Sequence, residues 1–160
     1  MNTSTPDILV VGGAGYIGSH VVKSLRDAGR QPVVFDNLST GLRENLFPEI
    51  PFIHGDLLIP EQVRTAMRGI RSVVHLAALK AAGDSMLEPE RYALHNLNGT
   101  VNLLHAAGTA GVRHFVFSSS AAVYGEPQYL PLDENHPTEP ANFYGQSSFK
   151  SRCFCPGSAD

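Results

Sequence analysis

DILVVGGAGYIGSH, residues 7–20, is the most informative stretch of the chain. Four apolar residues, Ile8 to Val11, run without polar alternation into two glycines. An uninterrupted apolar run of that length predicts a strand buried on both faces. The glycines recur as Gly12, Gly15 and Gly18, and Gly13, Gly15 and Gly18 also fit G-x-G-x-x-G. Next comes a helical pattern in which Ile17, Val21, Val22 and Leu25 fall near one face, with Gly29 as its stop. A glycine turn between a strand and a helix lets backbone approach a pyrophosphate, and the helix start offers free N–H groups. That context lifts the glycine triplet above a plain turn.

On the C-terminal side of this stretch, strands and helices alternate. Strands are predicted over 31–36, 51–56, 72–78 and 114–120, a short helix over 60–69, and a long helix from about Pro89 to Ala110. This βαβ alternation predicts an α/β, Rossmann-like doubly wound parallel sheet in the order 3-2-1-4-5. Residues 125–142 hold four prolines and little periodicity, so they read as a loop beyond the carboxyl end of the fifth strand, the edge at which such sheets bind ligands. Asp36 closes the second strand 18 residues after Gly18 and is placed to accept from an adenine-ribose hydroxyl pair, or to serve as a turn residue in DNLSTG. A carboxylate there also repels a 2′-phosphate, which favours NAD over NADP. Asp56 ends the third strand, as an adenine contact or a helix cap. Ala77 and Ala78 are small enough for close approach of a cofactor, and Lys80 is a phosphate or ribose partner or a solvated surface lysine.

Composition bounds the rest. The chain has 160 residues, 42% apolar and 17% charged, with a net charge of −3. A buried core is expected, and no basic field exists to draw nucleic acid or anionic lipid. The start, MNTSTPD, lacks Lys and Arg and leads into an apolar run too short for a signal peptide or a membrane span. Cys153 and Cys155 make no disulfide framework and do not complete a zinc sphere, and the seven histidines form no ligand cluster, so no metal is expected. A soluble, cytoplasmic protein is the expectation.

The stretches GGAGYIGSH, DNLSTG, LAALKAAGDS, NLNGT, FSSSAAVYG and NFYGQS together resemble the UDP-glucose 4-epimerase family of the extended short-chain dehydrogenase/reductases. The resemblance covers roughly Ile8 to Ser147 and implies NAD as cofactor, a UDP-sugar substrate and a homodimer through the helices flanking the fourth and fifth strands. It makes Gly12, Gly15, Tyr16, Ile17 and Gly18 the pyrophosphate loop. Asp36 and Asn37 become ribose and adenine contacts, with Asp56 and Leu57 beside the adenine. Leu76, Ala77, Ala78 and Lys80 form the wall under the nicotinamide half. Asn96 opens the family's N-x-x-G-T stretch, although His95 departs from the asparagine usual before it. Ser118 resembles a cofactor-side serine, Ser120 the catalytic serine and Tyr144 the catalytic base. Ala121 and Ala122 replace the acidic pair of related dehydratases, which favours epimerisation through a 4-keto sugar. Two alternatives stay open: a non-catalytic NAD-binding fragment, and an epimerase or reductase for another nucleotide sugar.

The family pattern breaks at YGQSSFK. The family motif is Tyr-x-x-x-Lys, and four residues along a helix turn about 400°, so the lysine shares the tyrosine's face. Here Ser148 holds that place, and Lys150 is rotated about 240° from Tyr144. Residues 1–147 are expected to form the NAD-binding domain and 148–160 an aberrant or disordered tail. A substrate-binding half is expected to be missing, through a frameshift, a premature stop or a natural short form.

Overall fold

The computed structural model describes residues 6–155. Its five strands are β1 (Ile8–Val11), β2 (Pro32–Asp36), β3 (Phe52–His54), β4 (Ser72–His75) and β5 (His114–Phe117). The helices are α1 (Tyr16–Asp27), α2 (Pro60–Ala66), α3 (Ala82–Leu87), α4 (Pro89–Tyr92), α5 (Gly99–Ala110) and α6 (Phe143–Phe154). All strands are parallel in the order β3-β2-β1-β4-β5, as the sequence predicts. Two compact units are present. One runs to Ala77 and resumes at Asn102–Ser118; the other holds Ala78–Val101 and the described residues from Ser119 on.

The first unit contains the sheet. Strand residues alternate sides, so the apolar run of β1 feeds two cores. Leu9 and Val11 pack with Phe35, Val63, Met67, Val73 and Leu103 on the α2 and α5 side. Ile8 and Val10 pack with Val22 and Val34 on the α1 side, where Val21 and Leu25 complete the cover. Helix α1 presents Val21, Val22 and Leu25 inward as expected, but Ile17 lies 61% exposed in its first turn. Gly29 and Gly69 follow α1 and α2 at φ +72° and +77°, the left-handed backbone that ends a helix. Pro60 opens α2, where its missing N–H has no helical partner to lose. Strand β4 stops at His75, three residues short of the predicted end, and β5 stops at Phe117. His75 is 1% exposed and lies against Phe115 and Phe117; burial lowers its pKa to about 4.

The second unit contains α3, α4 and α6. Between α4 and α5 the backbone widens into a π-helical stretch, Ala93–Asn98, where the sequence pattern predicts one plain helix. Asn96 sits in that stretch. Its amide donates to Leu79 O (3.0 Å) and Ser147 Oγ (3.0 Å), and its side-chain oxygen accepts from Leu79 N (2.9 Å). Helix α6 corrects the expected tail, because it continues through 148–154 without a break. Its buried face is polar. Ser147 Oγ donates to Tyr144 O, and Ser151 Oγ donates to the Asn96 carbonyl (3.3 Å), so hydroxyl pairing stands where an apolar face would otherwise pack. Residues 156–160 of that expected tail lie outside the described residues.

The loop at 125–142 carries no helix or strand and is built around His136. Its Nε2 accepts from Gln128 N (3.0 Å), its Nδ1 donates to Pro137 O (2.8 Å), and Tyr124 and Tyr129 flank the ring. Among the described residues no helix is long and apolar enough to cross a membrane, and no cluster of His, Cys, Asp or Glu could hold a metal ion.

Candidate functional site

The glycine turn leaves β1 tightly. Gly12 has φ +81°, and a Cβ there would stand 2.7 Å from Ala77 N. A Cβ on Gly18 would stand 2.1 Å from Gly12 O. Both positions therefore exclude any side chain. Gly15 N donates to Gly12 O (3.2 Å), and Gly15 is the N-cap of α1, with no side-chain cap among the described residues. The helix thus begins with free donors and a positive dipole end, and Tyr16 and Ile17 are exposed beside them.

Asp36 points into this turn. It is buried, its Oδ2 accepts from Ala14 N (3.0 Å), and its Oδ1 accepts from Leu38 N (2.8 Å). Ala14 is the fastening point on the other side as well, because its carbonyl accepts from Leu42 N (3.1 Å) and Asn45 Nδ2 (2.8 Å). Segment 36–45 is thereby clamped to the glycine turn. Asn37 Nδ2 donates to Asp56 Oδ2 (2.9 Å), which brings two predicted adenine contacts together. Asp56 also accepts from Leu58 N (2.8 Å), while the N-cap of α2 is Ile59, so Asp56 is not the helix cap. Leu57 is a core residue, and its carbonyl accepts from Asn102 Nδ2 (2.9 Å). Leu38 is the described non-glycine residue with positive φ, +59°, a strained geometry that persists only where surroundings hold it.

At the carboxyl end of β4, Leu76 N donates to Val11 O (2.9 Å), and Ala77 lies under Gly12. Ser118 N continues the β4–β5 pairing by donating to His75 O (3.0 Å), and its side chain is exposed.

The second unit holds the remaining residues. Ala78 and Lys80 are exposed on either side of Leu79, whose backbone Asn96 grips. Ser120 lies beyond β5, which ends at Phe117, three residues short of the predicted strand end. Its Oγ accepts from Ala122 N (3.2 Å) and caps a single turn at Ala121–Val123. Asn142 caps α6 by accepting from Gly145 N (2.8 Å), and Tyr144 N donates to Ser85 Oγ (3.0 Å). Tyr144 therefore stands in the first turn of α6. Four residues on, Ser148 is 7% exposed, whereas Lys150 is exposed and its ammonium lies 5.7 Å from the Phe149 ring. Sequence reasoning missed Ala14, Asn45, Ser85 and Asn142. Only Asn142 carried a local signal, as a cap-type residue before a helix.

Residues 8–151 match the model of the NAD dependent epimerase/dehydratase family. A UDP-glucose 4-epimerase of Streptomyces lividans is 46% identical over 142 residues, which cover 87% of this chain and 43% of that protein. The solved UDP-glucose 4-epimerase of Brucella ovis in complex with NAD is 38% identical with a TM-score of 0.89, covering 93% of this chain and 46% of that one. The enzyme of Thermotoga maritima with UDP-glucose is 35% identical with a TM-score of 0.88, covering 92% and 49%. The chain spans about half the length of the relatives it matches. With a family model matched over residues 8–151, this chain belongs to the NAD dependent epimerase/dehydratase family.

Proposed function

We propose that this chain is the NAD-binding portion of a UDP-hexose 4-epimerase acting on UDP-glucose and UDP-galactose. The observation that carries the reading is the Asp36 carboxylate held at Ala14 N beside an α1 start that no side chain caps. Those residues fit a dinucleotide. The α1 amides take the pyrophosphate, Gly12 and Gly18 leave room for its approach, and Asp36 with Asn37 takes the adenosine end.

We assign the chemistry to Ser120 and Tyr144, the serine and tyrosine that match the family's motif. Tyr144 takes the proton from the sugar 4-hydroxyl, and Ser120 holds that hydroxyl as it becomes a carbonyl. NAD held on the α1 amides and Asp36 would supply a reversible hydride acceptor for the sugar C4, which is the chemistry that inversion at that carbon needs. By the same motif match we assign Leu76, Ala77, Ala78 and Lys80 to the wall under the nicotinamide half, with Lys80 as a phosphate or ribose partner. Tyr144 needs a neighbouring positive charge to work as a phenolate, and Ser148 supplies none.

That substitution favours a second reading, in which the chain binds NAD without appreciable turnover. Calorimetry with NAD and an assay of UDP-galactose against UDP-glucose separate the two. Binding with rapid interconversion supports the enzyme, binding alone supports the second reading, and absence of NAD binding rejects both.

A further inference from the structure

Resting on the proposed NAD site, we infer that His54 is a positioning residue for its adenosine end. His54 ends β3 directly beside Asp36, its register partner in the neighbouring strand. Its Nε2 lies 3.2 Å from the Asn37 carbonyl. A carbonyl can only accept, so Nε2 carries the proton and donates. Asn37 is thus held twice, by His54 at its backbone and by Asp56 Oδ2 at its side chain (2.9 Å). Asp56 is itself fixed, because its N–H donates to Gln62 Oε1 at 2.8 Å.

This frame encloses the strained residue. Leu38 at φ +59° follows Asn37 directly, and a branched apolar side chain gains nothing from that backbone by itself. The turn keeps its shape because bonds around it over-determine it. Remove one and the turn spends part of its time relaxed, with the Asn37 amide and the Asp36 carboxylate out of place. Apparent affinity then falls by the fraction of time the competent shape is lost. His54 is exposed, so it takes little part in the core, and its loss acts on the turn rather than on folding.

The test is calorimetric titration of the full chain with AMP and with NAD, for wild type, His54→Leu and His54→Gln. Leucine removes the donor, and glutamine restores an N–H at a similar reach. The leucine variant is expected to bind both ligands about fivefold more weakly, by the same factor, since both use the adenosine end. The glutamine variant is expected within about twofold of wild type, and the unliganded melting temperature is expected to be unchanged in both. His54→Ala makes the same comparison should leucine disturb folding. Wild-type affinity in the leucine variant, or a glutamine variant as weak as leucine, overturns the inference alone. A wild-type chain that binds neither AMP nor NAD overturns the inference and the proposed function together.

Discussion

Asp36 Oδ2 accepts a hydrogen bond from Ala14 N at 3.0 Å, joining the end of β2 to the glycine turn across 22 residues. The same carboxylate accepts from Leu38 N through its other oxygen, so one buried side chain sets the shape of two loops. A ligand's ribose hydroxyls would meet a carboxylate already fixed in direction, which keeps the entropic cost of binding low.

Asp36→Ala is therefore expected to do double damage. Two backbone amides lose their acceptor, at about 1–3 kcal/mol of stability. NAD affinity is expected to fall at least about tenfold, since a charge-assisted contact is lost. Asp36→Asn keeps one acceptor oxygen and removes the charge, so it is expected to retain more stability while narrowing the preference for NAD over NADP. Urea melts and calorimetry with both cofactors measure the two effects.

The glycines divide into two kinds. Gly18→Ala places a Cβ against Gly12 O and is expected to cost about 3 kcal/mol or more and to abolish NAD binding. Gly29→Ala meets nothing within 4 Å and suffers only its backbone geometry, an expected cost of about 1 kcal/mol with NAD affinity unchanged. Equal effects of the two variants on NAD binding would contradict the role given to the turn.

Ser148→Lys puts a cation on the face of Tyr144, one helical turn along. It is expected to stabilise the phenolate and to raise UDP-sugar-dependent reduction of bound NAD, read in the near-ultraviolet band of reduced nicotinamide. Ser148→Met matches the bulk without the charge and is expected to give no gain, and Tyr144→Phe in the lysine background is expected to erase it. A methionine variant as active as the lysine one would contradict the electrostatic account.

His75 sets a pH dependence. Its folded pKa is about 4, against an ordinary 6.5, because burial disfavours the imidazolium. Above pH about 6.5 both folded and unfolded chains hold it neutral, and its contribution is complete. Between about 6.5 and 4 the unfolded chain binds a proton that the folded chain refuses, so stability falls by up to about 3 kcal/mol as pH drops through that window. Urea unfolding at a series of pH values checks this, and His75→Phe is expected to flatten the slope across the window.

The sheet was legible because buried parallel strands need continuous apolar runs, and Ile8–Val11 feeds a core on each face. Strand ends were less so. His75 ends β4 where the chain leaves the sheet for Ala77, packed under Gly12, and the apolar character of Leu76 to Ala78 gives no sign of that departure. The π-helical stretch had no local signal, and Asn96 within it bonds to Leu79, a contact 17 residues away that sequence periodicity does not announce. Helix α6 misled for the opposite reason. Its sequence lacks apolar periodicity, yet Ser147 and Ser151 bury their hydroxyls on Asn96. In the candidate site, the close turn at Gly12 and Gly18 and the position of Asp36 at the end of β2 could be expected from spacing together with the strand–turn–helix context. Ala14 could not, because its part is played by backbone atoms that no side chain announces.

Native mass spectrometry of the purified chain and of Gly18→Ala tests whether a dinucleotide lies on the α1 amides with its adenosine end at Asp36. The result expected is a wild-type species heavier by one NAD and a Gly18→Ala species without it. A wild-type chain that stays bare in excess NAD, or a Gly18→Ala variant that binds NAD as well as wild type, would contradict it.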